Sequence, residues 1–269
     1  MAYYDLTETV DLDCQFNLIF GERSNGKTTA GLLKIIEDYT AGLGNGVYVR
    51  QMDMDLKGQR GANIMTSLMY GGQSKDINLI AQASGGEYDQ VKYYSRAWYL
   101  GKTLDDGTVA WEKEPYCYGM AISNAKHDKS ATPPRVRNVV FDEFIPIDGS
   151  YLVDETAMFR QLLSTVIRDV DTVQVFLFAN SITWNSPYFD LFGAAKKVRE
   201  MEQGDTIVLT MRQPETGVEM KVALEYCAST GGKKSDVYFV FADESSAMIT
   251  NGKFAVPEYP ECPHHFTSK

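Results

Sequence analysis

The residues best suited to chemistry in this sequence are Gly21–Thr28, GERSNGKT, which fit the phosphate-binding pattern G-x-x-x-x-G-K-[ST]. In loops of this kind, backbone N–H groups and the positive end of the following helix surround a di- or triphosphate. We expect Lys27 to reach the β- and γ-phosphates and the Thr28 hydroxyl to bind Mg²⁺. The alternative is a glycine-containing turn that only caps a helix.

The segments on either side of this loop favour the phosphate-binding interpretation. Phe16–Phe20 is a continuous apolar run typical of a buried strand. Lys27–Tyr39 has the periodicity of a helix, whose apolar positions are Leu32, Leu33, Ile35 and Ile36. Gly21 and Gly26 permit backbone angles and close approach that a side chain would block. The sequence therefore predicts a strand, a phosphate loop and a helix N-terminus in that order.

A pair of acids provides the second chemical element. Val136–Phe144 reads VRNVVFDEF, so an apolar strand over Val139–Phe141 ends in Asp142 and Glu143. Ligand sites in open α/β sheets lie at the carboxyl ends of the strands, so these acids are expected beside the phosphate loop. Asp142 would then help to hold Mg²⁺, and Glu143 would orient or deprotonate an attacking water. The alternative is a strand end with two solvated acids.

Other polar residues at the ends of predicted elements are more ambiguous. Thr172–Ala179 is a predicted strand that ends in Asn180, which would lie beside a γ-phosphate or simply form a turn. Arg168 closes a predicted helix over Asp154–Arg168, where it is a favourable partner for the helix dipole or a finger for a neighbouring subunit's phosphate. Arg50, at the end of a short strand, has either a nucleotide-site or a surface role.

Two segments between the motifs differ in character from the rest. Asp76–Ala121 alternates apolar and polar residues around the turn at Asp105–Gly107, which predicts a β-hairpin excursion from the α/β core. Its Tyr and Trp side chains would pack in the sheet or stack on nucleic-acid bases. Ser123–Arg137 is a loop because it contains two adjacent prolines, and its basic residues include Lys126 and Lys129. These lysines have either a solvated or a functional role.

Composition limits the class of protein. The chain has 269 residues, 44% of them hydrophobic, and a net charge of −10, which argues against a surface that coats nucleic acid generally. We expect no membrane span, no signal peptide, and reduced thiols without a zinc site at Cys14, Cys117, Cys227 and Cys262. The expected domains are a P-loop ATPase domain over residues 1–195, a linker over 196–234 and a small or incomplete C-terminal module over 235–269.

Taken in order, these motifs resemble the DNA encapsidation ATPases of small tailed phages, the phi29-like family. The resemblance rests on FGERSNGKT, YVRQ, VVFDEF and FLFANSITWNSPYF, and it extends over about Gln15–Phe192. It implies an α/β P-loop NTPase of the additional-strand (ASCE) type, with a mostly parallel central sheet flanked by helices. The hairpin excursion and a small β-rich C-terminal segment complete this fold class.

The resemblance also implies an activity and its partners. The expected activity is ATP hydrolysis with Mg²⁺, coupled to translocation of double-stranded DNA into a procapsid. The expected assembly is a homo-oligomeric ring, pentameric in the family, at the portal vertex, possibly with a scaffold RNA. The protein would work in the host cytoplasm, transiently on the procapsid, and without a membrane.

The family's functional residues map onto matching positions of this sequence. Catalytic roles fall on Glu143, Arg168, Lys27 and Asn180, with Arg168 acting in trans. Thr28 and Asp142 would hold the metal. Lys129, and with it Lys126, would act on a neighbouring subunit's site or on DNA. The nucleotide would contact the loop residues Gly21, Glu22, Arg23, Ser24, Asn25, Gly26, Lys27, Thr28 and Thr29.

Two other classes of protein remain open. One is another P-loop motor that translocates DNA, such as a helicase or a recombination ATPase. The other is a nucleotide switch that does no mechanical work. A glutamate directly after Asp142 favours activation of water, and therefore hydrolysis, over transfer of phosphate to a substrate.

Overall fold

The computed structural model describes residues 4–70, 77–125, 133–167 and 172–228. Within them, ten strands form one sheet. The strands are β1 (Phe16–Gly21), β2 (Asn45–Arg50), β3 (Gln90–Tyr94), β4 (Ala97–Thr103), β5 (Val109–Trp111), β6 (Cys117–Ala121), β7 (Val136–Asp142), β8 (Gln174–Asn180), β9 (Thr206–Arg212) and β10 (Glu219–Tyr226).

Seven α-helices accompany the sheet in this part of the chain. They are α1 (Thr7–Asp11), α2 (Lys27–Thr40), α3 (Gly58–Thr66), α4 (Leu79–Ala83), α5 (Glu155–Val166), α6 (Pro187–Leu191) and α7 (Ala195–Glu200). None of the helices described is long and apolar enough to cross a membrane. The helix predicted over Asp154–Arg168 is observed as α5. Arg168 itself lies outside the described residues.

The strand order is β3-β4-β6-β2-β7-β8-β1-β10-β9, and β5 pairs with β4. All pairs from β6 through β10 in this order are parallel, while β4 pairs antiparallel with β3, β5 and β6, and β9 with β10. The prediction of a mostly parallel central sheet is confirmed. One strand, β8, separates the phosphate-loop strand β1 from the acid-bearing strand β7.

Successive residues of the central strands point to opposite faces of the sheet, and the apolar side chains on both faces are covered. Leu18 and Phe20 of β1 belong to one buried cluster with Phe159 of α5 and Tyr188 of α6. Ile19, between them, belongs to the other cluster, together with the apolar face of α2. The core thus fixes both α2, which follows the phosphate loop, and the strand ends that face it.

Helix α2 lies unusually close to the sheet at Gly31. A Cβ built at this position would overlap the ring of Phe178 on β8. A residue with a side chain would force α2 or the ring to move, because packed interiors leave little free space. Gly31 therefore determines how closely α2, and the phosphate loop that precedes it, approach the sheet.

The predicted hairpin excursion is confirmed in the antiparallel strands β3, β4 and β5, and the turn at Asp105–Gly107 joins β4 to β5. A second turn was not predicted: Ser95 and Arg96, with φ of 50° and 61°, divide the run Val91–Leu100 into two strands. Trp98 is fully buried and packs against Tyr48 and Tyr93, which agrees with a sheet-packing role.

The structure corrects the predicted linker over residues 196–234. Its described part contains α7, β9 and β10, and β10 pairs in parallel with β1 from Phe16↔Val222 to Phe20↔Tyr226. Val222 and Leu224 are fully buried, and β10 is part of the central sheet. The C-terminal module predicted over 235–269 lies outside the described residues.

Candidate functional site

The phosphate loop forms one wall of a cleft of about 190 Å³ at the carboxyl ends of β1, β7 and β8. Ser24 and Gly26 have positive φ values of 64° and 98°. Residues in this conformation let successive N–H groups converge into a concave site for an anion. The cleft is lined by Ser24, Asn25, Gly26, Lys27, Thr28, Thr29, Asp142, Glu143, Phe178, Ala179 and Asn180.

The Lys27 side chain is held by the loop that it follows. Its Nζ donates to the carbonyl oxygen of Glu22 at 2.6 Å and to Oδ1 of Asn25 at 3.0 Å. Lys27 is only 5% exposed, yet it lines the cleft. The ammonium group is thus largely desolvated and anchored beside the cleft, where its charge would act strongly on an anion.

Thr28 and Asp142 provide a pair of oxygen ligands. The Thr28 hydroxyl donates to Oδ1 of Asp142 at 2.7 Å. Hydroxyl and carboxylate oxygens are ligands that Mg²⁺ prefers, and Mg²⁺ in nucleotide sites is held by one or two protein groups together with phosphate oxygens. These residues therefore fit the metal that the sequence predicts.

Glu143 follows Asp142 at the cleft edge and has a left-handed backbone, with φ of 60°. This conformation is uncommon for a residue with a side chain, and it persists only where the surroundings impose it. The next residue supplies such a restraint, because the Phe144 N–H donates to the Phe178 carbonyl at 3.1 Å. This bond to β8 thus restrains the backbone directly after Glu143.

Arg50 links both acids, a contact for which the sequence left two alternatives. Its Nη1 lies 3.1 Å from Oδ2 of Asp142, and its Nη2 lies 2.6 Å from Oε2 of Glu143. Burial by itself would lower the pKa of Arg50, but the neighbouring Tyr48, Asp142 and Glu143 outweigh it and raise the pKa. The guanidinium is therefore always charged and offsets the repulsion between the two carboxylates.

Tyr48 is a site residue that sequence reasoning missed. Its hydroxyl donates to Oδ2 of Asp142 at 2.8 Å, and burial followed by the charge of Asp142 raises its pKa well above the ordinary value. Tyr48 and Arg50 are two residues apart on β2 and so point to the same face of the sheet. This periodicity is the signal that could have identified Tyr48 once Arg50 was considered.

The structure brings together most of the residues that the sequence selected. Asn180 pairs with Gly21 across β8 and β1 and lines the cleft. Gly21, Glu22 and Arg23 are not among the lining residues, although the Glu22 carbonyl binds Lys27; the Arg23 side chain is exposed. Lys126, Lys129 and Arg168 lie outside the described residues, so their roles stay predictions.

Comparison with known proteins agrees with the motif order. The family model described as Podovirus DNA encapsidation protein (Gp16) matches residues 109–211. The DNA packaging proteins of Bacillus phages PZA and phi29 are each 24% identical over 200 residues, which cover 74% of this chain and 52% of theirs. The resemblance to the phage DNA encapsidation proteins is confirmed.

Solved structures of encapsidation proteins share the fold. The N-terminal domain of the DNA packaging ATPase from phage phi29 aligns with a TM-score of 0.59 at 20% identity, covering 87% of this chain and 99% of that domain. The Phi-28 gp11 DNA packaging motor gives a TM-score of 0.64 at 16% identity, over 99% of this chain and 72% of that one.

A more distant likeness is to the large terminase ATPase domain of Thermus phage P74-26, with a TM-score of 0.51 at 11% identity over 95% of both chains.

This chain spans about half the length of the curated encapsidation relatives that it matches. The family match over residues 109–211 includes Asp142, Glu143 and Asn180 but not the phosphate loop. The loop is therefore independent support for a nucleotide site.

Proposed function

We propose that this chain is an ATP-hydrolysing motor that translocates double-stranded viral DNA into a procapsid during genome packaging. The observation that carries the proposal is the contact of Thr28 with Asp142, 2.7 Å apart, in a cleft walled by the phosphate loop. A hydroxyl, a carboxylate and an anchored lysine, together with a second acid that Arg50 holds beside them, suit hydrolysis of a nucleoside triphosphate.

Each residue in the cleft has a distinct part in this proposal. The loop N–H groups and Lys27 bind the phosphates of ATP, and Thr28 and Asp142 hold Mg²⁺. When bound, Mg²⁺ neutralises charge on the β- and γ-phosphate oxygens. Glu143 accepts a proton from the attacking water or orients it. Asn180, opposite Gly21, detects the γ-phosphate from the end of β8.

The strand order supports an assignment to the additional-strand class of P-loop NTPases. In that class an extra strand stands between the phosphate-loop strand and the strand of the metal-binding acid. Here β8 has this position between β1 and β7, and it carries Asn180 at its end. The extra strand thus gives the site a third polar group beside the two acids.

The ring and its partners are proposed from likeness to the encapsidation relatives. In this proposal the chains form a homo-oligomeric ring, pentameric as in the phi29-like family, at a procapsid portal, with or without a scaffold RNA. Arg168 acts on the neighbour's γ-phosphate, and Lys129 and Lys126 act on the neighbour's site or on DNA. The chain works in the host cytoplasm, transiently on the procapsid.

The decisive experiment measures ATPase activity with double-stranded DNA, with single-stranded DNA and without DNA. We expect stimulation by double-stranded DNA, together with sequence-independent binding that weakens steeply between about 50 and 200 mM salt. Preferential stimulation by single strands would instead indicate a helicase-like motor. Activity indifferent to both kinds of DNA would indicate a nucleotide switch.

A mixing experiment tests the shared site. Arg168→Ala and Glu143→Gln are each expected to be nearly inactive, since an arginine finger contributes about 10³–10⁵ in rate. Mixed under conditions in which rings assemble, the two variants should regain activity, because an Arg168→Ala subunit keeps Glu143 and receives Arg168 from its neighbour. If the mixture has no more ATPase activity than the sum of the two variants measured separately, Arg168 does not act on a neighbouring subunit and only stabilises the end of its own helix.

A further inference from the structure

The two oxygens of the Asp142 carboxylate have different surroundings. Oδ2 accepts a hydrogen bond from the Tyr48 hydroxyl at 2.8 Å and another from Nη1 of Arg50 at 3.1 Å. Oδ1 accepts a hydrogen bond from the Thr28 hydroxyl at 2.7 Å. Both donors to Oδ2 belong to β2, whereas Thr28 lies in the first turn of α2, directly after the phosphate loop. The carboxylate therefore presents Oδ1 to the loop and Oδ2 to the neighbouring strand.

Tyr48 is held firmly enough to fix the position of Oδ2. It is only 2% exposed, and its ring packs edge-on against the fully buried Trp98, with the ring centroids 6.0 Å apart. Trp98 is itself anchored, because its Nε1 donates to the Gly61 carbonyl of α3 at 3.0 Å. Close packing of this kind leaves a side chain few positions. The Tyr48 hydroxyl therefore cannot readily follow a carboxylate that turns away from it.

Arg50 contributes to the orientation of Asp142 less exclusively than Tyr48 does. Its guanidinium also pairs with Glu143 at 2.6 Å and lies 3.9 Å from Asp55, so three acids share it. A tyrosine hydroxyl has one proton to donate, and Tyr48 donates it to Oδ2 of Asp142. Tyr48 is thus the donor that is committed to this carboxylate, and it carries no charge that would oppose a metal ion.

The number of free carboxylate oxygens matters for the choice of divalent cation. Ca²⁺ takes about six to eight oxygen ligands in flexible geometry and readily accepts both oxygens of one carboxylate. Mg²⁺ requires a nearly octahedral set of closer ligands and usually keeps several waters. With Oδ2 occupied by two donors, Asp142 offers only Oδ1, beside the Thr28 hydroxyl. The arrangement suits Mg²⁺ and removes an oxygen that Ca²⁺ would use.

We propose that Tyr48 is a positioning residue that determines cation specificity: its hydrogen bond to Oδ2 restricts Asp142 to one metal-facing oxygen, so that the site selects Mg²⁺ over Ca²⁺. The proposal rests on the proposed function, because it requires that Thr28 and Asp142 hold a metal beside a bound nucleotide. It adds the choice of cation, which these two ligands do not determine by themselves, since hydroxyl and unrestrained carboxylate oxygens bind either ion.

The test measures ADP binding to the full chain by calorimetry with saturating Mg²⁺, with saturating Ca²⁺ and with EDTA. The wild-type chain should bind Mg²⁺-ADP about 5-fold or more tightly than Ca²⁺-ADP. Tyr48→Phe keeps the ring that packs against Trp98 and removes only the hydroxyl, so it should reduce this preference to about 2-fold or less. Its ADP binding in EDTA should equal that of the wild-type chain, because the phosphate loop is unchanged.

Tyr116→Phe is the matched control. Tyr116 is fully buried in the same apolar cluster as Tyr48, and its hydroxyl has no hydrogen-bond partner among the residues that the structure describes. The same substitution at this position should leave the preference for Mg²⁺ at its wild-type value. Thermal denaturation of both variants verifies that they are folded at the temperature of the titration.

The possible outcomes separate the proposal from the proposed function. A wild-type preference for Mg²⁺ that Tyr48→Phe leaves intact would overturn the proposal alone. Equal weakening under all three conditions would also overturn it, since Tyr48 would then only support the shape of the cleft. A wild-type chain that binds Ca²⁺-ADP as tightly as Mg²⁺-ADP has no selectivity for Tyr48 to impose. A wild-type chain that binds no ADP under any condition would reject the proposed function itself.

Discussion

The two sides of the phosphate loop differ in the chemistry of their side chains. On the acid side, Asp142, Glu143 and Arg50 form a network of charges with Thr28 and Tyr48. On the other side, a cavity of about 460 Å³ lies between residues 4–10 and α2. Its partly buried apolar residues are Val10, Ala30 and Leu33, and its charged residues are Asp5, Lys34 and Glu37. Asp142 thus lies at the centre of a connected network of polar contacts, whereas apolar side chains form part of the walls of the other cavity.

Glu143→Gln is expected to have the largest effect and to separate the two sides most clearly. It should reduce turnover by about 10²-fold or more, because the amide cannot accept the proton from water. ATP binding should persist, since the loop and Asp142 are unchanged. Steady-state ATPase assays and calorimetry measure the two quantities, with Glu200→Gln on the exposed part of α7 as the control. Near-normal turnover would remove Glu143 from its catalytic role.

Gly31→Ala should damage both sides at once, because α2 forms a wall of each cavity. The added Cβ overlaps the Phe178 ring, and overpacking of this kind costs about 1–3 kcal/mol of unfolding free energy. Thermal denaturation should show a lower Tm, and both ATP and tripolyphosphate should bind less tightly. Ser164→Ala, at an exposed position of α5, provides the control. A variant with unchanged Tm would mean that α2 is free to shift.

Arg50→Ala tests the balance of charge on the acid side of the loop. Removing a guanidinium 3.1 Å from Asp142 leaves the acid side more negative, so Mg²⁺ should bind about 10-fold more tightly in the presence of ADP. Arg50→Lys keeps the positive charge and should change the affinity less. Mg²⁺ titration of ADP binding measures the effect. Weaker Mg²⁺ binding would indicate that Arg50 chiefly positions Asp142 rather than opposing the metal.

The smallest expected effect concerns Cys227, which directly follows β10. Burial raises the pKa of its thiol from the usual 9.0 to about 12. Between pH 9 and 12 the thiol thus stays neutral in the folded chain while it ionises in the unfolded one. Its contribution to the stability of the folded state is therefore complete below pH 9 and is lost as the pH rises toward 12. At pH 8, iodoacetamide should leave Cys227 unmodified unless the chain is denatured, as peptide mass spectrometry would measure. Rapid native labelling would show that the end of β10 opens.

The chemical centre was the most predictable region, because its signals are local in sequence. The spacing within Gly21–Thr28 and the strand that ends in Asp142 and Glu143 are each contained in a few residues. The carboxyl ends of parallel strands then lie together at one edge of the sheet, which places Asn180 beside them without further information.

Features that depend on pairing between distant segments were not predictable. Charged residues interrupt β10 at Glu219, Lys221 and Glu225, so its sequence lacks the continuous apolar run of a buried strand, although Val222, Ala223 and Leu224 are buried beside β1. Arg50 had two interpretations because its surroundings depend on β7 being the neighbour of β2. The turn at Ser95 and Arg96 has positive φ at both residues without glycine or asparagine, so the usual turn signals are absent.

The parallel pairing of β10 with β1 has a mechanical consequence. Tyr226 lies opposite Phe20, and the Cys227 N–H donates to the Phe20 carbonyl at 2.9 Å, one residue before the phosphate loop begins. Tension applied to the chain beyond Ala228 along the strand axis would load the hydrogen bonds between β10 and β1 in shear. Bonds loaded in this way share the force and must yield together, whereas an antiparallel hairpin pulled from its open end unzips one pair at a time. Force transmitted along β10 would thus reach β1 directly before the loop at Gly21–Thr28.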